Sequence, residues 1–148
     1  MNLDFSIVPA IAPFLWQGVK VTLLLVAIVL VVTAPLALLV ALGRDCRLGW
    51  LRVSLQYISW VIRGVPPLMI LFCVFFIAPQ AGLEIDAFPA AVIAMTLFMT
   101  FYFAEAIRAG LASVPKGQYQ AALALGLPPG RTFGRIVMPQ ALPSIIPP

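Results

Sequence analysis

Between Val21 and Leu42 the chain runs through an apolar stretch broken only by Thr22, Thr33 and Pro35. That length matches the ~20 residues a helix needs to cross the hydrocarbon core of a bilayer. Each Leu, Ile or Val in it favours insertion by roughly 0.3–0.6 kcal/mol, and the contributions add along the helix. One proline is tolerated, because neighbouring helices or Thr33 can satisfy the carbonyl it frees. Nothing elsewhere in the chain offers this stretch a soluble core to hide in. Hydrophobic residues make up 63% of the sequence and charged residues 9%, with a mean hydropathy of +1.09. A soluble domain carries about 25% charged residues, because its surface faces water. The chain therefore reads as a membrane protein, with lipid as its first partner.

The same reading extends along the sequence. Met1 to Gln17 has no basic residue, and the apolar run is longer than the ~7–15 residues of a leader's core, so a cleaved signal peptide is not expected. Phe5 to Trp16, with Pro9, Pro13 and Phe14, reads as an interfacial lead-in that puts Trp16 at headgroup level. Three complete spans follow, at about 21–42, 58–78 and 88–109. The loop Gly43 to Arg52 carries Arg44, Asp45, Arg47 and Arg52, whereas Pro79 to Ala87 carries Glu84 and Asp86 and no basic residue. The long polar stretch at about 110–137 carries Lys116, Arg131 and Arg135. Short loops rich in Lys and Arg stay in the cytoplasm. All three loops give one solution, with the N-terminus outside and the first and third loops inside. Spread in this way at membrane edges, the net charge of +4 does not point to nucleic acid.

Few residues are equipped for chemistry. There is no histidine, which removes the commonest metal ligand and the commonest general base. Cys46 and Cys73 form no framework and read as free thiols. Arg63-Gly64-Val65-Pro66-Pro67 puts an arginine and two prolines at the start of the second span. A snorkelling arginine at the cytoplasmic edge, followed by a helix restart, accounts for it. Glu105 and Arg108, at i and i+3 near the inner end of the third span, share one helix face and can pair. A neutralising structural pair and a functional intramembrane charge both fit them. Thr96 and Thr100, one turn apart, either line a solute path or bond to helix carbonyls.

Val114 to Pro148 is the most informative segment. Gln118 to Leu127 is rich in Ala and Leu, Pro128-Pro129-Gly130 makes a turn, and Arg131 to Met138 forms a second short helix before Pro139. Ala121, Ala122 and Ala124 let another surface approach closely. The pair is either a helical element lying on the membrane or a docking element for a soluble partner.

At this point the sequence resembles a known family. Gln120-Ala121-Ala122, three residues, Gly126, nine residues, Ile136, one residue and Met138-Pro139 look like the EAA loop of permease subunits in binding-protein-dependent ABC importers. The spacing matches throughout, with Gln120 in place of the family's glutamate and Met138 in place of its leucine. Tyr102-Phe103-Ala104-Glu105, Arg108, Gly110, Val114 to Gln118, Pro139 to Leu142, Arg63-Gly64-Val65-Pro66 and Gly18 to Leu23 resemble the polar amino acid branch.

The resemblance implies an all-α, polytopic inner-membrane helical bundle, a single permease domain with three complete spans and the start of a fourth. It implies that Gln120, Ala121, Ala122, Gly126, Ile136, Met138 and Pro139 belong to a loop docking on a cytoplasmic ABC ATPase, which would bind the ATP. It makes Arg63, Gly64, Pro66, Tyr102, Glu105, Arg108 and Gly110 family-typical membrane or interface positions. The further partners implied are a second permease copy or a sister permease, and a periplasmic or lipid-anchored amino acid-binding protein. Such permeases have about five membrane helices, two of them after the loop, so a chain ending at Pro148 is expected to be a truncated form. Its prolines at 139, 143, 147 and 148 are expected to make a poor fourth helix. A membrane-anchored scaffold is the competing class. A membrane-embedded enzyme is disfavoured, since Glu105 is the sole acid within a span.

Overall fold

The structure, a computed structural model, describes residues 8–146. Among them there is no strand, and the fold is an all-α bundle. The part of the expected lead-in before Val8 lies outside the described residues, as do Pro147 and Pro148.

Helix α1, Val8–Gly43, is 36 residues long, about 54 Å at 1.5 Å per residue, well beyond the ~30 Å hydrocarbon core. It includes most of the segment expected to be a separate lead-in. Pro9 sits in the first turn, where no intrahelical acceptor is lost, and Pro13 removes one bond without breaking the helix. Helix α4, Ala87–Ser113, is the other element long and apolar enough to cross a membrane by itself. The two pack through small residues. On α1, Val29, Thr33, Ala37 and Ala41 recur every fourth position and are buried, and on α4 so are Ala90, Ala94 and Ala104. Ala37, Ala41 and Ala104 form one cluster, flanked by Val40 and Ile107. Lipid tails are as apolar as leucine, so close backbone approach, not hydrophobic burial, drives such pairing. The Thr33 hydroxyl has no partner among the described residues, so it does not serve the carbonyl freed by Pro35.

The expected second span is not one straight helix. Helix α2, Gly49–Gly64, ends at the prolines. Val65 and Pro66 are extended, because a proline disfavours helical backbone in the residue before it. Pro67 then opens helix α3, Pro67–Phe72, where its missing donor costs nothing. The segment continues as a π turn, Cys73–Ile77, and a 3₁₀ turn, Ala78–Ala81. Gly49–Gly64 and Pro67–Ala81 meet at 101°, and together they make a third candidate crossing.

After α4, helix α5, Lys116–Ala124, stands away from the bundle. Helix α6, Pro129–Thr132, leads through a π turn, Phe133–Val137, into helix α7, Met138–Ile145. The helix expected to stop before Pro139 thus runs on through Pro139 and Pro143. Both π turns end two residues before a proline, Pro79 and Pro139, where a wide turn absorbs the missing donor. Val114, Val137 and Ala141 form the core joining this segment to the end of α4, with Leu111, Phe133 and Ile145 around them.

At Gly110, α4 and α7 approach closely. A Cβ there would collide with Ile145 and lie 3.1 Å from the Ala141 carbonyl oxygen. Gly110→Val is expected to destabilise the protein by about 1–3 kcal/mol. Gly117→Ala, which meets nothing within 4 Å, is expected to leave stability unchanged. Melting in detergent micelles checks both.

Candidate functional site

The charged residues near the C-terminal end of α4 converge on one carboxylate. Arg44, just past the end of α1, donates from Nη1 to Glu105 Oε2 at 2.6 Å. Arg63, in the last turn of α2, brings Nη2 to the same oxygen at 3.2 Å. Arg108 donates to Glu105 Oε1 at 3.4 Å and, through Nη2, to Asp45 Oδ1 at 3.4 Å. Three guanidiniums and two carboxylates from the first loop, α2 and α4 therefore form one node. The i,i+3 pairing of Glu105 and Arg108 is present as the sequence suggested. Arg63 does more than snorkel, since it bonds both to Glu105 and, through Nε, to the Ser59 carbonyl at 3.3 Å.

Arg44 and Asp45 are the members that sequence reasoning missed. Arg44 is 6% exposed although it lies in what read as a polar loop. A buried guanidinium must be paired, because stranding a charge in low dielectric is costly. Its partner lies 61 residues away, and the local sequence carries no sign of the pairing. Gly64 and Pro66 lie in the break beside the node. Tyr102 is 45% exposed on α4, its ring 4.6 Å from that of Phe98. Thr96 and Thr100 line an apolar groove between α1 and α4 together with Leu36 and Val40, and their hydroxyls have no partner among the described residues.

The second locus is the protruding loop. Helix α5 ends in a Schellman motif: Leu127 N–H donates to the Ala122 carbonyl at 3.0 Å, and Gly126 N–H to that of Leu123 at 2.9 Å. Gly126 has φ +69°, the left-handed backbone this motif requires and a side chain resists. Pro128 caps the next helix, its carbonyl accepting the Arg131 and Thr132 N–H groups at 3.0 Å. Gln120 and Ala121 are exposed, Ala122 is buried, Ile136 and Met138 are half-buried, and Pro139 is exposed. Leu123 and Leu125 are each 77% exposed. Tyr119, Leu123, Leu127 and Phe133 border an apolar hollow of about 390 Å³ with Pro129 and Thr132. The loop motif and the charge node are thus separate sites, joined through the C-terminal half of α4. Among the described residues no group of His, Cys, Asp and Glu could hold a metal.

An all-α membrane subunit with a protruding helical loop is the class these features define. Residues 33–148 match the family described as "Binding-protein-dependent transport system inner membrane component". The chain is 36% identical to the arginine transport system permease protein ArtQ of Bacillus subtilis, over 99% of this chain and 68% of the relative. It is 39% identical to the L-cystine transport system permease protein TcyB of the same organism, over 92% of this chain and 58% of the relative. A crystal structure of an amino acid ABC transporter with histidines superposes with a TM-score of 0.88 at 30% identity, covering 98% of this chain and 68% of that one. The chain belongs to this family of inner-membrane transport components. It spans between 58% and 68% of the length of these relatives.

Removing the shared carboxylate strands the buried Arg44 and takes one partner each from Arg63 and Arg108. Glu105→Gln is expected to cost about 2–3 kcal/mol of stability in detergent unfolding. Asp45→Asn, at a carboxylate 59% exposed, is expected to cost less than about 1 kcal/mol.

Proposed function

We propose that the chain is the transmembrane permease subunit of an ATP-driven amino acid importer, coupled to a cytoplasmic ATPase through Gln118 to Pro139. The observation that carries this reading is the exposed α5 loop, whose turn is fixed by backbone bonds and whose apolar side chains are left uncovered. Basic loops place it in the cytoplasm and the N-terminus outside. The amino acid as solute rests on relatives such as ArtQ and TcyB.

In this reading the ATPase takes the face around Leu123 and Leu125, with Gln120 and Ala121 at the contact. The partner subunit binds and hydrolyses ATP. A second copy or a sister permease completes the pathway, and a periplasmic or lipid-anchored binding protein delivers the solute. Movement of α5 passes to the α6–α7 segment through the turn at Pro128-Pro129. It reaches α4 through Ile145 against Gly110 and Ser113 Oγ donating to Ser144 Oγ at 3.2 Å, while Gln140 Nε2, donating to Gln118 Oε1 at 3.4 Å, ties α7 directly to α5. From α4 the charge node carries it to α1 and α2. Thr96 and Thr100 offer hydroxyls to the solute path.

The test is co-purification from detergent-solubilised membranes. The chain is expected to retain an ABC ATPase, and Gly126→Asp is expected to lose it. Gly126→Asn, which tolerates left-handed backbone, is expected to keep at least part of it. An ATPase retained equally by Gly126→Asp, or absent with the unaltered chain, would overturn the coupling role and favour a scaffold.

A further inference from the structure

Helix α2 is not collinear with the segment that follows it. Its axis lies at 101° to Pro67–Ala81. That second segment alone, about 22 Å long at 1.5 Å per residue, leads from the level of Glu105 back to the start of α4. Two contacts fix the level of α2. Leu55, at its middle, lies against the end of α1, where a Cβ on Gly43 would stand 2.8 Å from Leu55 Cδ1. Arg63, at its far end, reaches the Glu105 oxygen that Arg44 also reaches. A helix running back along α1 would instead carry Arg63 about 12 Å above Leu55, away from Arg44. Helix α2 therefore crosses beneath the bundle at the level of the charge node.

Its surface chemistry matches that level. Gly49–Gly64 contains no acidic residue. Leu51, Leu55 and Ser59 face the bundle, whereas on the opposite side Trp50 (71%), Tyr57 (70%) and Trp60 (71%) are exposed, with Val53 among them. Tryptophan and tyrosine concentrate at the headgroup layer, where one ring edge is wet and the rest is apolar. Arg47 and Arg52 are exposed beside this stripe, and the nearby Asp45 already holds Arg108. An aromatic face with a basic margin is the pattern of helices that lie in the membrane interface. Exposed arginines on the cytoplasmic side attract anionic lipid.

We propose that α2 lies in the plane of the cytoplasmic headgroup layer as an amphipathic anchor. Its ligand is anionic phospholipid, bound by Arg47 and Arg52 while Trp50, Tyr57 and Trp60 enter the acyl boundary. The anchor sets the height of Arg63, and through it that of the charge node. It is independent of ATPase coupling, so the two readings fail separately.

Nitroxide depth measurement tests it on the chain reconstituted in mixed phosphatidylglycerol and phosphatidylcholine bilayers. On a Cys46→Ser/Cys73→Ser background, labels on Val53→Cys, Tyr57→Cys and Trp60→Cys are expected at one depth near the phosphates. Labels on Val31→Cys and Leu39→Cys of α1 are expected to differ by about 12 Å. A depth changing by about 10 Å from position 53 to 60 would overturn the in-plane placement. Labels reached by neither oxygen nor a nickel chelate would show protein over the stripe, and labels reached by the chelate alone would show water; either overturns the anchor. On a Trp16→Phe background, brominated phosphatidylglycerol is expected to quench Trp50 and Trp60 about twofold more than brominated phosphatidylcholine. Arg47→Gln/Arg52→Gln is expected to abolish that difference. Equal quenching with both arginines present would overturn the anionic ligand.

Discussion

One carboxylate ties three parts of this bundle together. Glu105 accepts hydrogen bonds from Arg44 and Arg108 and forms an ion pair with Arg63, and those residues belong to the turn after α1, to α4 itself and to the end of α2. The small-residue stripe between α1 and α4 brings the two helices close, but an alanine surface at four-residue spacing is nearly the same one turn further along. Packing of that kind fixes distance better than register. The node fixes register, because a slip of one turn, about 5.4 Å, would take Glu105 out of reach of Arg44. It also decides where α2 can go. With Pro66 forbidding a helical Val65, the chain must turn, and Arg63 turns it toward the charge that its neighbours already share.

How much of this is legible in the sequence depends on whether the signal is local. The Glu105–Arg108 pair follows from i,i+3 spacing, and the break at Pro66-Pro67 follows from proline chemistry. The 101° bend does not, since it depends on where Arg63 finds its partner. Arg44 looks like one more loop arginine, and only the fold shows it buried, 61 residues from its carboxylate. The α1 stripe is hidden for a different reason. In water, a buried face stands out against a polar one, but around Val29, Thr33, Ala37 and Ala41 every other face is apolar as well. Size, rather than polarity, marks a helix contact in lipid. The passage of α7 through Pro139 and Pro143 is illegible because proline chemistry counts only the lost donor. The π turn that offsets the loss at Pro139 leaves no mark in the sequence.

The EAA-like spacing is legible as a pattern, and the end of α5 gives that pattern a physical meaning. Gly126 is placed where α5 must end with left-handed backbone, and Ala122 accepts the bond that closes the motif. Those two positions are explained by the turn itself, whatever docks there. Gln120 is different, being exposed and without a side-chain hydrogen bond among the described residues. Its identity is free of the fold, so a partner surface is what it can serve, and an uncharged side chain there alters the contact without altering the turn.

In the coupling proposed above, the two loci are ends of one mechanical path. The segment from Pro129 to Ile145 has its first helix capped by Pro128, and its inner half is packed on Val114 and Leu111. A rod seated on α4 at Val137, Ala141 and Ile145 cannot tilt alone, since Gly110 leaves no gap on the facing surface. A load on α5 is therefore expressed as movement of α4, and α4 carries Glu105. Whatever moves α4 must either drag α1 and α2 along or break bonds from buried and half-buried guanidiniums. Dragging them is the less costly course, because the buried Arg44, separated from Glu105, has no other side-chain partner among the described residues. That asymmetry lets a node of fixed charges transmit a displacement instead of absorbing it.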